Sequence, residues 1–227
     1  MQNQRRWGTL GAAGGDARRT AAGTAALRGR GAMGRMNRVL MFCVLANAGL
    51  GWAQAGPEQG GHEVQVWAGG GHSVPGGTSR TGIFDAGLRY GWVLTGSHLP
   101  GFLRGRLEYA VDAEPAYLIF QPVNTAYGVG FNPFGLKWNF ERRERLSPYF
   151  ELSGGTLFSD HNVPAGTNTV NFTSAAALGT HVLGAKYNWS VEVRYLHISN
   201  AGLATPNPGV NTVQVRVGVG RFWRGKK

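Results

Sequence analysis

The sequence predicts an all-β protein, an eight-stranded antiparallel transmembrane β-barrel preceded by a cleavable signal peptide. Three observations carry that prediction. After Gly56 the dominant hydrophobic period is two, with aliphatic residues on one face and polar or small residues on the other, which is the signature of strands rather than helices. These stretches number eight, an even count as in single-chain outer-membrane barrels. The connections between them alternate long and short, as external loops and periplasmic turns do.

The leader comes first. Met36-Asn37-Arg38 opens a short basic region, Val39 to Ala46 forms an apolar core, and Trp52-Ala53-Gln54-Ala55 ends in an Ala-x-Ala pattern, so residues 36–55 are expected to be a secretory signal peptide. The apolar core is shorter than the roughly 20 residues a spanning helix requires. Residues 1–35, rich in Gly, Ala and Arg, have no structural period and are read as an upstream extension, with Met36 as the expected start, or else as a disordered segment. The exported barrel is then residues 56–227.

Strands are expected over 63–71, 81–94, 102–112, 123–140, 148–159, 169–183, 188–199 and 211–223. The last is the clearest: Val213, Val215, Val217 and Val219 alternate with Gln214, Arg216, Gly218 and Gly220. Val191, Val193 and Tyr195 alternate in the same way with Glu192 and Arg194. In a barrel the aliphatic face meets lipid and the charges fill the lumen, which here would hold Arg104, Arg106, Glu108, Glu192, Arg194 and Arg216. Longer connections at 72–80, 113–122, 160–168 and 200–210 are expected outside, and shorter ones at 95–101, 141–147 and 184–187 on the periplasmic side. The charged run Glu141 to Arg145 then reads as a solvated turn. Aromatic residues near strand ends, Tyr90 and Trp92, Trp138 and Phe140, Phe222 and Trp223, suit interfacial girdles.

Composition narrows the function. The chain of 227 residues has 23 Lys+Arg against 12 Asp+Glu, a net charge of +11, a balance that would suit nucleic acid or an anionic surface. Eight of those cations are arginines within residues 1–55, so charge gives no reason to expect a nucleic-acid partner. Cys43, the one cysteine, lies in the expected leader, which excludes disulfides and cysteine chemistry from the barrel. The histidines outside the motif below, at 62, 72, 98, 161 and 181, lack ligand spacing. No metal and no cofactor is expected.

One stretch can carry chemistry: Arg194-Tyr195-Leu196-His197-Ile198-Ser199-Asn200-Ala201-Gly202, followed by Asn207-Pro208-Gly209-Val210-Asn211. His197 and Ser199 are two apart on a strand, so both side chains leave the same face and the imidazole can serve as base for the hydroxyl. Parity with Val191, Val193 and Tyr195 makes that face the lipid side, at the external end of its strand. A Ser–His pair there would meet an amphipathic lipid. Asn200 and the Gly202 backbone follow as candidate oxyanion donors. Asn211 shares the parity of Val213 and, after the hairpin, can return beside His197 to orient the ring.

His197-Ile198-Ser199-Asn200-Ala201-Gly202, with Asn207-Pro208-Gly209 before the final strand, resembles the PagL family of lipid A 3-O-deacylases. The specific match covers about 20 residues. The resemblance implies an eight-stranded outer-membrane barrel that hydrolyses the ester-linked acyl chain at position 3 of lipid A, without a metal. It implies Ser199 as nucleophile, His197 as base, and oxyanion support from Asn200 and Gly202. One position departs, since Asn211 stands where the family pattern has Glu. The amide oxygen can still orient a histidine, but it cannot stabilise an imidazolium by charge.

The expected partners are lipid A of the outer leaflet and the bilayer itself, and a homodimer is compatible with the pattern. The alternative is a non-catalytic structural or adhesion barrel whose Ser–His pair merely ends a strand. A pore is disfavoured, because eight strands leave an interior just filled by side chains.

Overall fold

The computed structural model describes residues 56–224; the expected leader and upstream extension lie outside them. Eight strands follow in order: β1 (Gly61–Ser73), β2 (Gly82–Val93), β3 (Gly105–Phe120), β4 (Thr125–Phe140), β5 (Leu146–Ser159), β6 (Val170–Leu183), β7 (Asn188–Ser199) and β8 (Val210–Arg224). Each pairs antiparallel with the next and β8 returns to β1, closing the barrel. Closure leaves no edge strand, the condition for backbone polar groups to be satisfied in hydrocarbon. Among the described residues helix is limited to a single 3-10 turn, Gly101–Leu103.

The period of two becomes two environments. On β7, Val191, Val193 and Tyr195 face outward, about half exposed, while Glu192 and Arg194 are buried in the lumen. The lumen holds four cations, Arg89, Lys137, Arg194 and Arg216, and seven carboxylates, Glu63, Asp85, Glu108, Asp112, Glu114, Glu151 and Glu192. Arg89 is the hub, gripping Asp112 through Nε and Nη2 at 2.8 Å each and Glu151 through Nη1 at 2.6 Å and Nη2 at 2.7 Å. Such fork-to-carboxylate pairs offset part of the cost of taking charge from water. The Arg216 guanidinium lies 3.3 Å over the Trp67 ring, so the interior is filled rather than open.

Toward the rim reached by the ends of β1, β3, β5 and β7, the lumen turns apolar. Ile83, Tyr117, Ile119, Ala126, Leu157, Leu196, Ile198 and Val210 form a buried cluster there, joined by Val163 from the β5–β6 loop. Leu196 and Ile198, apolar on the polar parity, are explained by this plug.

Four expectations are corrected. β3 runs to Phe120, so the expected loop at 113–122 is mostly strand and the β3–β4 connection is only 121–124. Pro115 sits within the register shift between Glu114 and Tyr117, a bulge at which a missing N–H costs no ladder bond. The β2–β3 connection, 94–104, is in turn longer than expected, so the long/short alternation fails at these two places. Phe222 is 1% exposed and packs edge-on to His181 with ring centroids 5.1 Å apart, inside the barrel rather than in a girdle. Arg104 lies in the β2–β3 turn, exposed, instead of in the lumen. Tyr90, Trp92 and Trp223 do face outward, with His62 stacked between Trp92 and Trp223 at 5.7 Å and 5.4 Å.

Candidate functional site

His197 and Ser199 end β7 on the outer wall, both half-buried, between the fully buried Leu196, Ile198 and Asn200. No register shift interrupts β7 against either neighbour, so the parity counted from Val191 holds to the strand end. Across β6, Ser174 faces His197 and Phe172 faces Ser199. On the other side Asn211 is the direct partner of His197, with their side chains joined, His197 Nδ1 to Asn211 Oδ1, at 2.6 Å. With the amide oxygen turned to the ring, Nδ1–H donates and Nε2 is left as an acceptor toward the outer surface. Ser199 Oγ has no hydrogen-bond partner among the described residues.

Two glycines fit the pair closely. Gly209 has φ +67°, and a Cβ there would lie 2.9 Å from His197 Cε1; a Cβ on Gly76 would lie 2.9 Å from Asn211 Nδ2. The β1–β2 loop is fastened over the start of β8 by Val74 N–H to Asn211 O at 2.8 Å and Thr78 N–H to Gly209 O at 2.9 Å. The hairpin and this loop therefore hold Asn211 from both sides, and the amide is only 6% exposed. Neither contact is visible in the strand pattern. The left-handed glycine in Asn207-Pro208-Gly209 was the available sign that something approaches the backbone closely.

Asn200 and Gly202 lie immediately beyond Ser199, but their donors point into the loop. Gly202 N–H donates to Asn200 Oδ1 at 2.9 Å, Asn200 Nδ2 donates to Ala204 O at 3.1 Å, and Asn200 N–H donates to Asn207 Oδ1 at 3.1 Å. The three bonds brace the β7–β8 turn. For either backbone N–H to meet an oxyanion, the turn must give up one of them.

The wall around the pair is apolar: Phe172, Tyr195 and Val213 are each 40–44% exposed. A hydroxyl, an imidazole and a carbonyl-oriented tautomer on such a surface can attack an ester carried by an acyl chain lying along the barrel. Among the described residues there is no group of three or more potential metal ligands.

Residues 84–220, from β2 into β8, match the family model described as lipid A 3-O-deacylase (PagL). Among solved structures the barrel is similar to the outer membrane enzyme PagL, 22% identical with a TM-score of 0.51 over 68% of this chain and 97% of that one. It is also similar to the outer membrane protein OprG from Pseudomonas aeruginosa, 11% identical with a TM-score of 0.43 over 74% and 98%. Neisserial surface protein A is 14% identical with a TM-score of 0.45 over 72% and 97%. No curated protein matches the sequence.

Proposed function

Since the chain belongs to the PagL family of lipid A 3-O-deacylases and lies in the bacterial outer membrane, we propose that it hydrolyses an ester-linked acyl chain of lipid A, at the 3-O position by family. Ser199 is the nucleophile, His197 the base and Asn211 the residue that orients the base. The observation that carries this reading is the 2.6 Å contact between His197 Nδ1 and Asn211 Oδ1 on the lipid-facing wall, two residues from Ser199. In the first step Nε2 takes the Ser199 proton while Oγ attacks the ester carbonyl. The imidazolium then returns that proton to the departing sugar hydroxyl. Water, deprotonated by the same Nε2, cleaves the acyl-enzyme and releases a free fatty acid.

Backbone N–H groups near Ser199, at Asn200 and Gly202, are the donors for the developing oxyanion, and they become available as the β7–β8 turn opens onto substrate. Mass spectrometry of lipid A from an outer-membrane-competent host expressing residues 36–227 tests the assignment: loss of one hydroxyacyl mass is expected, and Ser199→Ala should abolish it with the barrel still folded. Loss that persists in Ser199→Ala would remove Ser199 from the mechanism.

A second reading, a non-catalytic barrel, is favoured by one feature: Asn211 is a neutral amide where the family pattern has an acid. No mass change in lipid A from a folded, inserted barrel would support it.

A further inference from the structure

We infer that the rim opposite Ser199 carries a docking arc for anionic phospholipid headgroups of the periplasmic leaflet. Three connections build it. Glu141 N–H donates to Arg104 O at 2.7 Å, stitching the β2–β3 turn to the β4–β5 turn, and Leu183 N–H donates to Arg145 O at 2.7 Å, stitching the latter to the β6–β7 turn. Backbone contacts thus gather side chains that are far apart in sequence into one continuous strip.

That strip is cationic. Arg104 and Arg106 share Glu141, at 3.4 Å and 3.6 Å, while Arg142, Arg143 and Arg145 are exposed and make no ion pair among the described residues. Lys186 follows on the β6–β7 turn. The opposite rim differs: across its four connections, 74–81, 121–124, 160–169 and 200–209, Arg80 is the one Lys or Arg. The charge is therefore placed on one end of the barrel rather than spread over it.

A solvated turn would need only charge, but this arc also projects apolar side chains. Phe102 is 81% exposed and Leu99 55% exposed in the β2–β3 turn, and Trp189, 59% exposed, opens β7 beside Lys186. Cations interleaved with exposed aromatic and aliphatic groups suit the boundary between headgroups and acyl chains. The guanidinium fork matches a phosphodiester oxygen pair, so the fitting occupant is an anionic glycerophospholipid rather than a soluble anion. The depth agrees. Twelve-residue β7 at about 3.3 Å per residue and a tilt of about 40° spans roughly 30 Å along the membrane normal, one hydrocarbon thickness. Anchoring the arc among inner headgroups holds Ser199 level with the outer ones.

The test is native mass spectrometry of the detergent-purified barrel titrated with phosphatidylglycerol or phosphatidylcholine of identical acyl chains. Phosphatidylglycerol is expected to bind about tenfold more tightly. Arg142→Gln/Arg143→Gln/Arg145→Gln should erase that preference, while the matching triple Lys variant, which keeps the charge, should retain most of it. Equal binding of the two lipids by the wild type, an unchanged preference in the Gln variant, or equal retention of soluble glycerol phosphate would each overturn the proposal. Loss of preference in the Lys variant as well would do the same, since recognition would then not follow the charge of the arc. The assay reads no ester cleavage, so its outcome is independent of the deacylase reading.

Discussion

His197 and Asn211 are Cα partners across the β7–β8 hairpin, and their side chains meet at 2.6 Å, Nδ1 to Oδ1. An amide oxygen in that position selects the Nδ1–H tautomer as a carboxylate would, and it presents Nε2 to the wall on which Ser199 stands. What it lacks is the negative charge that would favour an imidazolium over the neutral ring.

Replacing Asn211 separates the two contributions. Asn211→Leu removes the acceptor, and deacylation by the purified barrel is expected to fall by about 10²-fold or more. Asn211→Glu supplies charge, and kcat should rise roughly tenfold. Full activity in Asn211→Leu would exclude the residue from the site.

Gly209 and Gly166 distinguish strain from contact. Both have left-handed φ, +67° and +80°, but a Cβ at Gly209 would meet His197 Cε1 at 2.9 Å while one at Gly166 would meet nothing within 4 Å. Each change to Ala should cost about 1 kcal/mol of stability, read as a shifted urea midpoint. Gly209→Ala alone should also depress deacylation. Comparable activity in the two variants would show that Gly209 serves the turn and not the imidazole.

The His197–Asn211 contact was legible in the sequence because it needs only a period of two and a hairpin. Parity placed both residues on the lipid side, and no bulge lies between them. The extent of β3 was not legible for a converse reason. Asp112 ended the expected strand and Glu114 and Pro115 read as loop residues, yet both acids face the lumen, where Asp112 meets Arg89 and Asn132 Nδ2 donates to Glu114 at 2.7 Å, and the proline occupies a bulge. Pro133 in β4 repeats the device between Phe131 and Phe134. Cross-barrel partners decide such residues, and no local window contains them. The β7–β8 turn shows the same limit: Asn200 was legible as a neighbour of Ser199, whereas its bonds to Ala204 and Gly202 depend on how the turn closes.

Acid should loosen the β5–β6 loop. Asp160 Oδ1 contacts His161 Nδ1 at 2.9 Å and accepts Tyr127 N–H at 2.8 Å. These hydrogen bonds, that from His161 first, hold its carboxyl below the usual value. A depressed carboxylate contributes its stabilisation above the ordinary range and loses it as pH falls through the folded value, so the loop should be fully held at neutral pH and released only once pH falls below the ordinary carboxylate range. Hydrogen-exchange protection of amides in 160–169 should drop there in the wild type and show no such step in Asp160→Asn. A wild-type loop still as protected as at pH 7 once its carboxyls are fully protonated would count against the contact.

The lumen should be the most sensitive part of the barrel, although it lies on the far side of the wall from the proposed chemistry. Arg89 neutralises Asp112 and Glu151 at once, and Arg194 Nη2 reaches Glu151 at 2.9 Å while its Nε reaches Glu192 at 3.0 Å. Removing the Arg89 guanidinium leaves two buried carboxylates with one fewer cation, in a compartment that already holds more acids than bases. Arg89→Met is expected to cost about 3–5 kcal/mol, measured as a lowered urea midpoint of the barrel in lipid vesicles. Adding Glu151→Gln removes one of the orphaned charges, so the double variant should recover part of the loss and the cycle should show coupling of about 1 kcal/mol or more. Additive effects would mean that Arg89 and Glu151 do not stabilise the barrel as a pair, whatever their separation.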